Sequence, residues 1–329
     1  MSNWFEVPRT RLLAILACII VVGAPAVLAQ EDGGSQGEQT QAPAPERKRA
    51  TIATGLDSKA IAARWPDAAV WLEPPEEDRV LALFQPEIHT PARGALLILA
   101  DEGQSVASGL AGALRQPMAR AGWAVMTVGL ESPPYAVQRA RRQQAAASPG
   151  MSRGDTDNDG TGNNDAAESV MIDVMDSVDV DELEDRYRTR IQKTLSVAVG
   201  ALSDRGYDRV AVAGIGMASG HVARMAATAG GDVSELIWIA PVFARSDSAG
   251  LTEWLSEAGQ IRVLELHSSR VAETAGSAGF RSPKEREAAF RRADITAYNR
   301  QPVAMAERPE PRDAPALANR LSAWLMSDP

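Results

Sequence analysis

Residues 208–231, DRVAVAGIGMASGHVARMAATAGG, are where the spacing of residue types could support chemistry: a short apolar run, a Gly-rich turn and a helical pattern. When such a turn reads G-x-S-x-G, it exposes a nucleophilic serine for acyl transfer. Gly214 occupies the first glycine position, but Gly216 stands where the serine would be. The turn therefore lacks the group that would attack a substrate carbonyl.

The other members of a catalytic triad are also missing from their expected places. The chain order would be nucleophile, acid, histidine. Ser219 is the nearest hydroxyl, but its place one turn into the helix indicates close packing on the sheet. The acid should follow RVLELHSSRV, where Val271 stands, and Glu265 lies inside that strand. The sequence thus predicts no nucleophile with an adjacent base.

The three histidines of the chain do not restore a base. They are His89, His221 and His267, and none follows the last predicted strand. We expect each of them to be structural or solvated. The alternative is an esterase with an unconventional site, in which Ser219 or Ser105 works with His221 or His267.

A dinucleotide site is a second interpretation of the turn, because Gly214, Gly216 and Gly220 give G-x-G-x-x-x-G. That motif needs an acidic residue at the end of the next strand to bind the ribose. The next strand, ELIWIAP, ends in Ala240 and Pro241. We therefore predict no cofactor.

The segment DTDNDGTGNNDA resembles the start of a calcium loop, with acidic residues at its first, third and fifth positions: Asp155, Asp157 and Asp159. The twelfth position should be a bidentate glutamate and is Ala166, whereas Glu168 comes two residues late. A solvated acidic linker is the expectation, and weak calcium binding is the alternative.

Strand and helix patterns alternate along the chain. The continuous apolar runs GALLILA, GWAVMTVGL and ELIWIAP are typical of strands buried on both faces. Helical spacing follows at 106–121, where Pro117 should bend or interrupt the helix, and at about 180–202. Further strands are expected at 261–269 and 294–299, and a terminal helix at 314–325. This order predicts an α/β fold, a mostly parallel sheet with helices on both faces.

The N-terminus has the features of an exported protein. Basic residues precede the apolar run LLAILACIIVVG and a small-residue exit, so we predict a signal peptide over residues 1–29. An uncleaved anchor or a lipid on Cys18 is an alternative. Polar composition predicts a disordered tether over 30–58 and a disordered acidic insertion at about 135–177 within a domain spanning 59–329.

Charge is concentrated in one segment. The net charge is −9, but residues 150–185 hold twelve Asp and Glu residues and one Arg, so the rest of the chain sums to about +2. The sequence has no basic face with interleaved aromatic residues, which argues against nucleic-acid binding.

Four segments in order, VWLEPPEEDRVLALFQP, GALLILADEGQS, GWAVMTVGLESPP and VAVAGIGMASG, resemble an uncharacterised family of exported bacterial proteins, domain of unknown function 3530, which is α/β-hydrolase-like. The resemblance covers about residues 60–327 apart from the insertion. It implies that a glycine at position 216 is typical. Related chains read His-Gly-x-Gly-Gln-His where this chain reads Ala-Asp-Glu-Gly-Gln-Ser at residues 100–105. The resemblance implies fold and compartment but no substrate.

These observations predict a non-catalytic, periplasmic binding or scaffold module. Its ligand would be a small molecule or an envelope protein at the carboxyl edge of the sheet. The residues expected to line that site are Asp101, Glu102, Gly214, Gly216 and Met217. In the parent fold, backbone N–H groups at the counterparts of Met217 and Glu102 bind an oxyanion. A structural partner of an envelope complex, recruited through the acidic insertion, is a further alternative. No membrane span is expected after signal cleavage.

Overall fold

The structure is a computed structural model that describes residues 55–146, 180–229, 231–259, 261–270 and 282–327. The predicted signal peptide, the candidate calcium loop and Val271 lie outside these residues. So do residues 147–177 of the predicted insertion.

One eight-stranded sheet organises the described chain. Its strands are β1 (Ala69–Leu72), β2 (Val80–Gln85), β3 (Gly94–Glu102), β4 (Trp123–Leu130), β5 (Val210–Ile215), β6 (Glu235–Ile239), β7 (Arg262–Ser268) and β8 (Tyr298–Val303). The helices are α1 (Ser58–Arg64), α2 (Gly109–Arg120), α3 (Tyr135–Ala146), α4 (Val180–Ser203), α5 (Ala218–Thr228), α6 (Arg245–Glu257), α7 (Pro283–Arg292) and α8 (Ala314–Met326). Short 3-10 turns precede α1 and α8.

The strands lie in the order β1-β2-β4-β3-β5-β6-β7-β8. β2 pairs antiparallel with both of its neighbours, and every other pairing is parallel. Parallel strands need crossover helices, which cover both faces of the sheet and explain why the central strands are apolar throughout. The predicted α/β fold class is confirmed.

The core has two layers because side chains of a strand alternate between faces. Along β3, Leu97 and Leu99 pack on one face with α4, α5 and α6. Leu96 and Ile98 pack on the other face with α2 and α8. The carboxyl ends of β3 and β5 lie in the centre of the sheet, so loops leaving them are held by both layers.

Three sequence expectations need correction. Residues 135–146, predicted as part of the disordered insertion, form helix α3, in which Val137 is buried. The last strand is β8 at Tyr298–Val303 and not at 294–299, because Asp294 adopts a left-handed turn with φ of 59°. Helix α2 continues through Pro117 without interruption.

The predicted tether also ends early, since residues 55–57 already form a 3-10 turn that leads into α1. Among the helices of the described ranges, none is long and apolar enough to cross a bilayer.

Candidate functional site

A sharp turn joins β5 to α5 at Gly216. Its φ of 56° lies in the left-handed region, which glycine adopts without steric penalty. The Gly216 N–H donates to the Ile239 carbonyl at 3.0 Å, and the Gly216 carbonyl accepts from Val242 N at 3.0 Å. Neighbouring β6 therefore fixes the turn, which has the strand–turn–helix geometry of a nucleophile elbow with no nucleophile.

Close packing of α5 on β5 explains Gly214 and Ser219. A Cβ at Gly214 would lie 2.8 Å from the Ala218 carbonyl oxygen. The Ser219 side chain is fully buried, and its hydroxyl donates to the Gly214 carbonyl at 3.2 Å. Ser219 therefore joins helix to strand and does not present an exposed hydroxyl.

Strand register brings Asp101 to the elbow. Leu99 on β3 pairs with Gly214 on β5, so the residues two positions further on, Asp101 and Gly216, lie side by side. Asp101 Oδ1 accepts hydrogen bonds from Glu102 N at 2.8 Å and from Met217 N at 2.9 Å. These are the two N–H groups that the sequence equates with an oxyanion hole, and a carboxylate of the same chain occupies them.

The Asp101 carboxylate also fills the space beside Gly216. A Cβ at Gly216 would lie 2.4 to 2.6 Å from the Asp101 carboxyl atoms, far inside van der Waals contact. Gly220 has the same relation to a second carboxylate, because its Cβ would lie 2.5 Å from Asp247 Oδ2. Two glycines of the turn and helix thus admit two carboxylates.

A network of ion pairs surrounds the elbow. Arg141 on α3 bridges Glu102 at 3.1 Å and Glu184 on α4 at 3.3 Å. Arg188 pairs with Glu184 and lies 3.5 Å from Asp247 on α6. Burial raises the pKa of Glu102, and Arg141 opposes that rise. Helices α3, α4 and α6 are therefore fastened together beside the turn by partly buried charges.

His221 lies among these charges on α5. It is buried, and its ring packs edge-on against Tyr187 at 5.8 Å between centroids. Burial, with smaller contributions from Arg141 and two other arginines, lowers the pKa of His221 to about 3. The imidazole is therefore neutral at physiological pH and packs as an aromatic ring.

The candidate acid and the third histidine lie on β7. Glu265 is fully buried and accepts hydrogen bonds from Arg286 Nε at 3.0 Å and from Tyr298 Oη at 2.6 Å. A second guanidinium nitrogen of Arg286 bonds the other oxygen of Glu265. His267, two residues on, is buried as well. Both oxygens of the Glu265 carboxylate are thus bonded to side chains on α7 and β8.

Ser105 belongs to a turn before α2. Its backbone N–H donates to Ser108 Oγ at 2.9 Å, and its carbonyl accepts from the same hydroxyl at 3.2 Å. In the described residues, no group of three or more His, Cys, Asp or Glu side chains is placed to hold a metal ion.

The five residues predicted to line a ligand site do meet at the elbow. A cavity of about 620 Å³ lies beside them, and none of the five lines it. Sequence reasoning missed Asp101 as the acceptor at the N–H pair, and it missed Arg141, Tyr187 and Arg286 entirely. The run YAVQRARRQQAA, with no Gly or Pro, was the available sign of the helix that carries Arg141.

The strand order, the single antiparallel strand β2 and the elbow after β5 define a protein of the α/β-hydrolase fold. Dinucleotide-binding folds have a different strand order, and their Gly-rich turn follows the first strand. The chain belongs to the family described as Protein of unknown function (DUF3530), whose model matches residues 10–326. The predicted family is confirmed.

Comparisons with solved structures return esterases and hydrolases. Est1E from Butyrivibrio proteoclasticus is 9% identical, with a TM-score of 0.49, over 79% of this chain and 98% of that chain. The esterase domain of a Rhodothermus marinus protein is 12% identical, with a TM-score of 0.45, over 78% and 96%. Dienelactone hydrolase from Anabaena variabilis is 14% identical, with a TM-score of 0.44, over 78% and 95%. A search of curated protein sequences finds no match.

Proposed function

We propose that this protein is a non-catalytic module of the α/β-hydrolase fold that acts in the bacterial periplasm by binding a ligand or a partner. The observation that carries the proposal is the Asp101 carboxylate, which accepts both N–H groups of the oxyanion-hole position.

Acyl transfer needs those two donors free, because they must stabilise the charge that develops on the substrate oxygen. Loss of one such donor lowers kcat by about 10²–10³-fold in a serine hydrolase. A substrate carbonyl would have to displace a carboxylate held by two charge-assisted hydrogen bonds, which are stronger than bonds to a neutral acceptor. A neutral carbonyl oxygen is a weaker hydrogen-bond acceptor than a carboxylate, so we expect the Asp101 carboxylate to remain bound to the two N–H groups.

Gly216 and Asp101 support the proposal together, because a serine side chain at position 216 and the observed position of the Asp101 carboxylate are sterically incompatible. A serine at position 216 would place its Cβ against the Asp101 carboxylate. Conversely, Asp101 reaches the two N–H groups only because no side chain projects from residue 216. The bond from the buried Ser219 hydroxyl to the Gly214 carbonyl and the lowered pKa of His221 support structural roles for these two candidates.

The test is reaction of the purified chain with a fluorophosphonate serine probe and a series of short-chain p-nitrophenyl esters. A heat-denatured sample and an active serine esterase are the controls. We expect neither labelling nor turnover above the denatured sample, in the natural chain and equally in Asp101→Ala, which empties the N–H pair but supplies no nucleophile. Turnover by the natural chain that Ser219→Ala, Ser105→Ala or His267→Ala abolishes would establish the esterase alternative.

Export is tested separately by N-terminal sequencing of material from the envelope fraction. We expect the chain to start near Gln30. A chain that retains residues 9–29, or one that carries lipid on Cys18, would contradict cleavage of a signal peptide after Ala29.

A further inference from the structure

A cavity of about 620 Å³ lies over the carboxyl ends of β3 and β4, next to β2 and one strand away from the elbow. The 3-10 turn and the start of α1 form one side, and α4 forms the other. Its apolar lining includes Trp71, Leu81, Leu99, Val106, Val128 and Leu130. The volume lies within the range of about 300–1,000 Å³ for small-molecule sites.

The polar groups on the α4 side are already satisfied within the protein. Tyr187 Oη donates to the Glu131 carbonyl at 2.7 Å, and Arg190 pairs with the Glu131 carboxylate at 3.1 Å. Thr194 Oγ1 donates to the Arg190 carbonyl at 2.9 Å. The α4 side of the cavity therefore needs no polar partner from a ligand and suits the apolar part of a ligand.

The mouth carries charges of both signs. Arg79 lies 4.4 Å over the ring of Trp71, and Lys59 is exposed on α1. Asp57 and Asp78 line the same mouth. Within the described residues none of these four groups has an opposite charge at salt-bridge distance, and together they sum to zero. A head group of one sign would be attracted by two of them and repelled by the other two.

We infer that this cavity binds an amphiphile with one apolar chain and a head group without net charge, such as a zwitterion. The inference rests on the proposed function, because it names what the binding module holds. The apolar chain of the ligand lies against the apolar lining, where it leaves water, and the head group meets the two positive and two negative groups of the mouth.

The first experiment measures the fluorescence of N-phenyl-1-naphthylamine, an uncharged apolar probe, on addition of the purified chain. Thr194→Trp fills the cavity from α4, where Thr194 is buried. Thr189→Trp places the same side chain on the exposed face of the same helix. We expect the natural chain and Thr189→Trp to bind the probe equally, and Thr194→Trp to bind it about ten-fold more weakly or not at all, a loss of about 1.4 kcal/mol or more. Circular dichroism and thermal melting establish that both variants are folded.

The second experiment displaces the probe with three twelve-carbon amphiphiles below their micellar concentrations: dodecylphosphocholine, dodecanoate and dodecyltrimethylammonium. We expect dodecylphosphocholine to displace the probe at the lowest concentration. Arg79→Glu makes the mouth negative and should transfer the preference to the cation. Asp78→Lys makes it positive and should transfer the preference to the anion.

Failure of the folded natural chain to bind the probe, or equal binding by Thr194→Trp, overturns the site. Preference of the natural chain for one of the charged amphiphiles overturns the head-group assignment. Neither result bears on catalysis, which the ester and probe-labelling assays decide on their own, so failure of this inference is distinguishable from failure of the proposed function.

Discussion

An α/β-hydrolase keeps its nucleophile at the elbow after β5 and its acid after β7, and in this chain a carboxylate held by hydrogen bonds lies at the elbow and another lies inside β7. Asp101 at the elbow is half-buried and is bound by two backbone N–H groups. Glu265 on β7 is fully buried and is bound by the side chains of Arg286 and Tyr298.

The difference lies in what each carboxylate requires of the rest of the chain. Asp101 uses donors that every residue possesses, so it needs only the absence of a side chain at Gly216. Glu265 needs two particular side chains on two other elements, because a buried charge must be compensated by specific partners. One or two substitutions are therefore enough to alter the elbow, whereas in the β7 site a substitution of Glu265, Arg286 or Tyr298 removes a partner that the others need.

The largest effect should follow from breaking the β7 site. Arg286→Met leaves the Glu265 charge buried with its guanidinium partner gone, which costs about 3–5 kcal/mol of folding free energy. Arg291→Met, on the same helix, removes an exposed pair with Glu287 and should change stability by less than about 1 kcal/mol. Urea unfolding of both variants measures the difference. Similar midpoints would mean that Glu265 draws little stability from its pair.

The two carboxylates also differ in how far sequence could anticipate them. The continuous apolar run of β3 and the helical spacing of α4 predict the elements, because burial on both faces and a 3.6-residue period leave clear patterns. The sequence places Glu265 inside a strand. The acceptor role of Asp101 was not recognised, because its partners are backbone N–H groups and sequence does not show where these point.

Two elements were misplaced for a related reason. Helix α3 has few large apolar residues, and ion pairs of Arg141 join it to its neighbours, so its composition is that of a polar segment. Strand β8 pairs only with β7, and its sequence YNRQPV is largely polar. Polar contacts between residues that are far apart in the sequence position both elements.

The elbow is tested by Gly216→Ser, which combines a left-handed φ of 56° with contact against Asp101. The backbone contribution is about 1–2 kcal/mol and the overpacking contribution about 1–3 kcal/mol, so we expect a total loss of about 2–5 kcal/mol. Gly206→Ser is the matched control, because Gly206 has a φ of 88° and nothing within 4 Å of an added Cβ. Gly216→Ser should restore at most trace esterase activity, since no histidine follows the last strand.

A second substitution separates the two contributions. Asp101→Gly in the Gly216→Ser background removes the contact and should return the overpacking part, so that the loss approaches that of Gly206→Ser. A double-mutant cycle on unfolding free energies measures the coupling. Additive effects would show that Asp101 and residue 216 do not exclude one another.

The charges around the elbow predict a pH dependence carried by His221. Its pKa falls from the ordinary 6.5 to about 3 on folding, so the unfolded chain takes up the proton first. The stability from neutral His221 is therefore complete above about pH 6.5 and is lost toward pH 3, by about 1.4 kcal/mol per unit, or about 2 kcal/mol at pH 5.

The raised pKa values of Glu102 and Asp247 act in the opposite sense, because protonation of these buried acids favours the folded state. The measurement is therefore the difference in pH dependence between the natural chain and His221→Gln, in which the acids cancel. Parallel curves for the two proteins between pH 6.5 and 4 would contradict a neutral, buried His221.

The smallest effect concerns Asp101 alone and decides whether its charge or its shape holds the elbow. Asp101→Asn keeps an oxygen that can accept from Met217 N and Glu102 N, so only the charge is lost. Asp101→Ala leaves both N–H groups without that acceptor, at the edge of the sheet where water can reach them. We expect Asp101→Ala to lose about 1 kcal/mol and Asp101→Asn about half as much, because hydrogen bonds to a charged group are the stronger. Amide hydrogen exchange at Met217 reports on the same bond directly: it should be faster in Asp101→Ala than in Asp101→Asn, and slowest in the natural chain. Equal exchange in all three would mean that the turn holds its N–H groups without Asp101, and the carboxylate would then be a neighbour of the elbow and not its occupant.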